Sequence, residues 1–522
     1  MLKRFLIVFV ALAALSGPWK AAGAAETTLH FRLGEDPETL YSIKTLSLTA
    51  NTVIGPYLLE RLVYFDASGQ PQPWLAESWA VSEDQKTLTF KLRGGVTFTD
   101  GTVLDAAAVK AQFDSVLDKK NASLLVSRLG ALLGVEAPDA TTVRFVFDKP
   151  FAPFFANIAQ ASFGINSPTA VTKFGDQYGR NPVGSGPYML KSWVPGSEIT
   201  LVRNPHYKQF RGDARNKGLP IAGTIVLTVI SEEAVAQAAL ESGELTAGAV
   251  AADAIDNLVK NPGLTTVINK SVTNLLFLEF NEMHAPFDNV DMRRAIGYAV
   301  DRAAIVKAAY NNYASPALGP LANGIPGYDA KMGETYGTPF DPAKAKALLA
   351  KAGWVRGADG KLSRDGKPAL FLLKSYSGFE PIDRTLAVIQ SNLNDIGIAV
   401  KIETSDFGTL YPSLLKPDWD MDLMRWTSSD PSVLNNVFRS PGHRKNTLPS
   451  AEQDALLDRC NLMMDFTARM ACVGEAQKLL LESATVVPVL SDWLITITQK
   501  NVKDYHLDYF NNIIPGDISV VD

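Results

Sequence analysis

Cysteine is nearly absent from this chain: Cys460 and Cys472 are the two in 522 residues. That excludes a disulfide-built scaffold, zinc sites of the CxxC type and a thioredoxin-like motif. The five histidines, His30, His206, His284, His443 and His506, are scattered, with no HExxH and no close pair. Nothing in the sequence therefore predicts a metal, although a site assembled from distant residues is left open. GxSxG, Walker A and GxGxxG patterns are missing as well, and no cofactor is expected. Without an identifiable nucleophile, base and acid, a secreted hydrolase is disfavoured and the chain reads as a non-enzyme. No low-complexity tract and no internal repeat occurs.

Positive charge is also in short supply. Lys and Arg number 50 against 55 Asp and Glu, a formal charge of −5. The N-terminus has the layout of a secretory signal peptide: Lys3 and Arg4, an apolar run from Phe5 to Leu15, then Gly17-Pro18 and small residues from Ala21 to Ala25. That run is too short to span a bilayer as a helix. With no cysteine near it, a lipid anchor is excluded, and an uncleaved membrane anchor is the alternative. A signal peptide over residues 1–25, processed before Ala25 or Glu26, places the protein in the periplasm. Losing Lys3, Arg4 and Lys20 but no acidic residue moves the charge from −5 to −8, which argues against nucleic acid and anionic membranes as partners. The composition, 46% apolar and 20% charged, is that of a globular protein. Its length implies two or three domains of about 100–200 residues.

Several segments declare their local structure. In residues 87–101, Leu88, Phe90 and Leu92 alternate with Thr89, Lys91 and Arg93, the pattern of a half-buried strand. Asp100-Gly101 supplies a turn, and Val109, Phe113, Val116 and Leu117 form the apolar stripe of the next helix. Gly184, Gly186 and Pro187 make a tight turn ahead of a strand over 197–202, closed by Asn204-Pro205. Asp341 and Pro342 begin a helix that ends before Gly353. Residues 369–376 read as a strand, 383–396 as a helix with Leu386, Ile389, Leu393 and Ile396 inward, and 398–403 as a strand. A strand, helix, strand order implies a parallel pair. Arg293 and Arg294 read as solvated helix charges.

The same words carry a resemblance. NPVGSGPY with PGSEITLVRNPHYK in residues 181–208, QPWLAESW in 72–79, TLTFKLRGGVTFTDG in 87–101, PFDNVDMRRAI with AVDR in 286–302, and KAGW in 351–354 resemble the peptide- and nickel-type substrate-binding proteins of ABC importers, cluster C. The likeness runs from Gly34-Glu35-Asp36-Pro37 to about Asp522. It implies an α/β, two-lobed periplasmic binding protein of the Venus-flytrap type with an extra subdomain inserted in the first lobe. Lobe I is then 26–272 with 491–522, the insert 56–183, and lobe II 273–490. The implied function is capture of a small polar solute and its delivery to ABC permease subunits in the inner membrane, with cytoplasmic ATPases. A monomer is expected. A sensor subunit for chemotaxis or signalling is the alternative that sequence does not separate from transport.

The resemblance also implies where the ligand sits. From lobe II come Tyr376 and Ser377 after one strand, and Arg425, Trp426, Ser428, Ser429 and Asp430 after another. Trp426 offers a ring face for stacking. Arg425, its neighbour on a strand, points the opposite way, so one of the two faces away from the ligand. Asp430-Pro431 repeats the cap at Asp341-Pro342 and would set a helix N-terminus toward an anionic ligand group. From lobe I come Thr45, Ser47 and Thr49, with Phe163 and Asn166; Asp492 and Trp493 follow where the chain returns across the cleft.

One departure bears on the ligand. Dipeptide binders of the family carry an aspartate about three residues after this Trp and an arginine near the 376–381 loop. Here Ser428-Ser429 and Ser377-Gly378-Phe379-Glu380 stand there. Plain dipeptides are expected to bind weakly, with longer peptides, opines, glycosides and other polar conjugates in reach, and a hydroxylated or anionic group favoured. Separately, helices over about 451–464 and 468–482 form a hairpin with Cys460 and Cys472 each six residues from Phe466. Level positions in an oxidising compartment suggest a disulfide, with two buried thiols as the alternative.

Overall fold

The computed structural model describes residues 27–250, 252–440 and 445–521. The expected signal peptide lies outside the described residues. Two large sheets organise the rest. The first has seven strands in the order Leu264–Asn269, Leu494–Gln499, Ala247–Ala249, Thr28–Leu33, Thr224–Val229, Glu198–Arg203 and Tyr188–Val194. The second has six, in the order Ala314–Pro316, Val486–Asp492, Asn274–Phe280, Met421–Thr427, Leu370–Tyr376 and Ala399–Ser405. The chain passes between them twice, through residues 270–273 and through Trp493.

A four-stranded antiparallel sheet, in the order Ala76–Val81, Thr87–Leu92, Thr142–Phe147 and Leu132–Asp139, packs on the helix Ala106–Leu117. Leu88, Phe90 and Leu92 point inward as their alternation requires, meeting Val109, Phe113 and Val116 in one core. The turn at Gly184 and Gly186 is steric in origin. A Cβ on Gly184 would come within 2.1 Å of the Leu58 carbonyl oxygen, and one on Gly186 within 2.6 Å of the Tyr57 oxygen. The Gly186 N–H donates to that Leu58 carbonyl at 2.9 Å.

In the second sheet, Leu370–Tyr376 and Ala399–Ser405 run parallel, joined by the helix Glu380–Asp395. Ile382, Leu386, Ile389 and Leu393 bury its apolar stripe. The helix Pro342–Lys351 starts as its cap dictates, with the Asp341 carboxylate accepting from the Lys344 N–H, and Gly353 follows at φ +85°. Arg293 corrects a sequence expectation. It is buried, donating to the carbonyls of Ala484, Phe287 and Ser483 and lying 3.6 Å from Glu282, so it ties its helix to the end of another. A surface charge and a carbonyl-capping arginine look alike in sequence, because two of the three carbonyls belong to a turn about 190 residues away.

The helices Ala451–Leu462 and Phe466–Glu482 form the hairpin, and a disulfide joins Cys460 to Cys472 with their Cα atoms 5.5 Å apart. Its tip reaches the four-stranded unit: the Ala152 N–H donates to the Asn461 carbonyl at 2.9 Å, and Met464 packs against that unit's core.

Candidate ligand-binding site

Strands Thr28–Leu33, Thr224–Val229 and Ala247–Ala249 are parallel, as are Leu370–Tyr376, Ala399–Ser405 and Met421–Thr427. Loops at the C-terminal ends of parallel strands are where open α/β sheets place ligands. Here a cavity of about 840 Å³ draws its walls from both sheets and from the crossing between them. Arg32, Glu233 and Ala249 come from the first side, Tyr310, Phe379, Arg384 and Asp492 from the second, and Trp493 from the crossing. That volume lies in the range of small-molecule sites.

Arg425 and Asp492, both expected from sequence, meet at the cavity wall, which Asp492 lines and Arg425 backs from behind. The Arg425 guanidinium donates to Asp492 Oδ2 at 3.0 Å and to the Tyr310 hydroxyl at 3.3 Å, and it lies 5.2 Å from the Phe379 ring centroid. Burial would lower the pKa of Arg425, but Asp492, then Tyr376 and Tyr310, outweigh it and hold the guanidinium above its ordinary value. Burial likewise raises Tyr310 and Tyr376, each partly offset by Arg425, so both phenols stay neutral. Trp493 donates its indole N–H to Ser315 Oγ at 2.7 Å. The Tyr313 hydroxyl donates to Asp256 at 2.8 Å, a bond between a second-sheet loop and a first-sheet helix.

Trp426 is placed on the other face. Strand alternation sets Met421, Leu423 and Arg425 against one core and Met424 and Trp426 against another. The Trp426 ring stacks on Phe277, 6.4 Å between centroids and 9° between planes. The crevice beside it, which Ser428 also lines, has a volume of about 10 Å³, room for a water and no solute.

Other expectations need correction. Asp430 is not the cap of the following helix, which spans Val433–Phe438 behind Ser432. It is buried and accepts from both terminal nitrogens of Arg469, at 2.6 and 2.8 Å, and from the Ser432 N–H. A six-residue helix so arranged presents no anion site. Ser428 Oγ is spent on the Asp430 main chain, and the Ser429 carbonyl accepts from the Tyr509 hydroxyl at 2.8 Å. Phe163 is fully buried against Phe113, centroids 6.0 Å apart. Asn166 is buried in a network, donating to Ser42 Oγ and Gln112 and accepting from the Tyr178 hydroxyl. Thr45 Oγ1 accepts from the Ser47 N–H, Ser47 caps the helix Leu48–Val53, and Thr49 donates to Glu35. The exposed side chains of that segment are Leu46 and Leu48, the latter 81% accessible. Ser377 is exposed at the strand end beside the cavity residue Gly378, its N–H bonded to the Ser405 carbonyl.

Tyr310, Tyr313, Arg32, Glu233 and Arg384 line the cavity without having been expected there. Phe379 and Glu380 fell inside the 376–381 loop that sequence singled out. The others carried no local signal, since each looks like an ordinary strand or helix residue. Among the described residues no group of three or more His, Cys, Asp or Glu side chains could hold a metal.

Comparison with known proteins accounts for the architecture. The probable D,D-dipeptide-binding periplasmic protein DdpA of Escherichia coli (strain K12) is 30% identical over 490 residues, 90% of this chain and 89% of that one. NikA from Brucella suis, solved in complex with Fe(III)-EDTA, superposes with a TM-score of 0.84 at 25% identity, covering 95% of this chain and 100% of that one. AgaA from A. tumefaciens R10, solved with agropinic acid, gives a TM-score of 0.73 at 26% identity over 95% of this chain and 99% of that one. Residues 70–446 match the bacterial extracellular solute-binding proteins, family 5 (middle region). The chain therefore belongs to that family, the periplasmic, non-enzymatic solute-binding components of ABC importers.

Proposed function

We propose that the cavity between the two large sheets is the solute site and that its ligand is a peptide or a peptide-like, opine-type or glycoside-type conjugate. The observation that carries this is the shared wall: one cavity takes side chains from both sides, Asp492 at the end of a second-sheet strand among them, and from Trp493 between the sheets. A ligand touching both sides gains contacts only when they approach, so binding favours the closed arrangement. A relative named for D,D-dipeptides and another captured with agropinic acid support this range of ligands. Serines in place of the dipeptide clamps, at 377 and 428–429, weigh against plain dipeptides.

The mature protein is a monomer, exported by residues 1–25 and without a lipid anchor. Residues 26–272 with 491–522 form one lobe, 56–183 its insert, and 273–490 the other; the passage of the chain between sheets at 270–273 and Trp493 supports these boundaries. Native mass spectrometry of protein purified from the periplasm tests the reading, with calorimetry against dipeptides, longer peptides and opines. A co-purified small molecule and a mass matching cleavage near Ala25 are expected. An intact Met1, or saturable binding that survives loss of the cavity side chains, would falsify it.

A further inference from the structure

We infer that Asn323, Gly324 and Asn274 are positioning residues of the hinge: they bind both chain crossings to lobe II, so that the lobes turn at two links, Asn269–Lys270 and Trp493–Leu494. This rests on the reading that the two lobes close, and not on which solute they close around. On the lobe I side, Asn269 and Leu494 are the terminal pair of the ladder between Leu264–Asn269 and Leu494–Gln499. Asn269 Nδ2 also donates to Asn511 Oδ1 at 2.6 Å, which ties it to the C-terminal part of the same lobe.

The residues just beyond belong to the other side. The Asn323 side chain holds the first crossing at two points: Nδ2 donates to the Lys270 carbonyl at 2.8 Å, and Oδ1 accepts from the Val272 N–H at 3.0 Å. The Gly324 N–H donates to the Val272 carbonyl at 2.9 Å, and a Cβ at Gly324 would lie 2.8 Å from that same oxygen. The crossing therefore lies flat on this loop, with room beneath it for glycine alone. Val272 and Thr273 are buried, and the Thr273 carbonyl accepts from the Ser428 N–H at 3.0 Å.

The second crossing is held in the same manner. Asn274 Nδ2 donates to the Asp492 carbonyl at 3.0 Å, and its Oδ1 accepts from the Asp492 N–H at 3.2 Å. Trp493 donates its main-chain N–H to the Tyr313 carbonyl at 3.2 Å and its indole N–H to Ser315. All of these partners lie in lobe II. The bond from the Ser271 N–H to Asn269 Oδ1, 3.0 Å, spans the first joint and is local to the bend. Hinges are a few element-terminal residues that absorb the change in φ and ψ. Asn269 and Leu494 face each other on adjacent strands, about 5 Å apart, so the two joints share one axis. Without the clamps, residues 270–273 would be a strap that lets the lobes slide as well as turn.

Spin-label distance measurements on the unliganded mature protein test this, with labels on Lys260→Cys in lobe I and Lys346→Cys in lobe II; both positions are exposed, and the native cysteines are joined to each other. Asn323→Ala should speed exchange of the Val272 amide by about tenfold or more. It should also broaden the inter-lobe distance distribution about twofold, with the near-UV circular dichroism of the wild type retained. Because the alanine also alters the loop it sits in, Gly324→Ala is the second variant: its Cβ pushes the crossing off the loop and should broaden the distribution likewise. An unchanged Val272 exchange rate in Asn323→Ala overturns the inference. So does a wild-type distribution that already shows open and closed lobes and stays the same in both variants, which leaves lobe closure intact. One sharp distance in all three proteins rejects lobe motion and the inference with it, while the solute reading is decided separately by native mass spectrometry.

Discussion

Lys270 and Trp493 belong to the two segments by which the chain passes between its large sheets, and the Lys270 ammonium lies 4.1 Å from the Trp493 ring centroid. The two crossings therefore touch each other. Trp493 also donates to Ser315 and lines the cavity, so one side chain joins the crossing to the ligand wall. Truncating it removes ring surface from the site without opening a core. Trp493→Ala is expected to weaken cognate ligand binding by about 2 kcal/mol, the scale of a buried aromatic anchor. Calorimetry measures this, with small-angle scattering to compare open and closed forms.

Trp426→Ala should act on stability. The ring packs on Phe277 and lies outside the 840 Å³ cavity. Loss of a packed tryptophan costs about 3 kcal/mol or more, depending on how the site collapses. Urea denaturation should show that loss while ligand affinity changes by less than threefold; a large affinity change with normal stability contradicts the placement.

Glu60 gives the protein a pH dependence. Its carboxyl, buried beside Arg61 and accepting from the Trp74 indole at 2.9 Å, is pushed up to about 7, first by burial, with bonds from Ser185 and Trp74 and the charge of Arg61 acting the other way. The folded state thus binds this proton more tightly than the unfolded chain. The contribution to stability is greatest below the unfolded value near 4.5 and declines as pH rises toward about 7. Glu60→Gln keeps an acceptor for Trp74 and removes the titration. It should stabilise the protein at pH 8 by on the order of 2–3 kcal/mol and flatten the slope between those pH values, as measured by denaturation across pH.

Asp430 runs in the opposite sense. Burial would raise its pKa, but Arg469 outweighs that and holds the carboxyl below its ordinary range. The pair stabilises the fold above the unfolded carboxylate pKa, and that stability is lost as pH falls through the lower folded value. Arg469→Met leaves the carboxylate buried without its cation and should cost about 3–5 kcal/mol at pH 7. The difference from wild type should shrink below about pH 4.

The Cys460–Cys472 bond closes a short loop at the hairpin whose tip meets Ala152. Chain entropy for a loop of this size gives about 3 kcal/mol. Reduction should lower the denaturation midpoint accordingly, and alkylation before reduction should find no free thiol.

Much of this protein is legible in its sequence because local chemistry is enough. Leu88, Phe90 and Leu92 announce a strand by alternation, Asp341-Pro342 a helix start by capping, and two cysteines equidistant from Phe466 a hairpin, since each involves neighbours along the chain. The family words around Gly184 and Gly186 work for a similar reason: a backbone approach that forbids a Cβ admits glycine alone. Alternation also told that Arg425 and Trp426 point apart. Which of them supports the cavity wall was decided by the sheet, where Phe277 on the neighbouring strand covers one face and Tyr310 with Asp492 lie on the other. Phe163, Asn166, Asp430 and Arg293 became buried only because distant segments supplied Phe113, Gln112, Arg469 and the Ser483 carbonyl. Burial and ion pairing are properties of packed surfaces, so a sequence lists the groups able to bind a ligand, and only the tertiary structure decides which of them the protein has already used on itself.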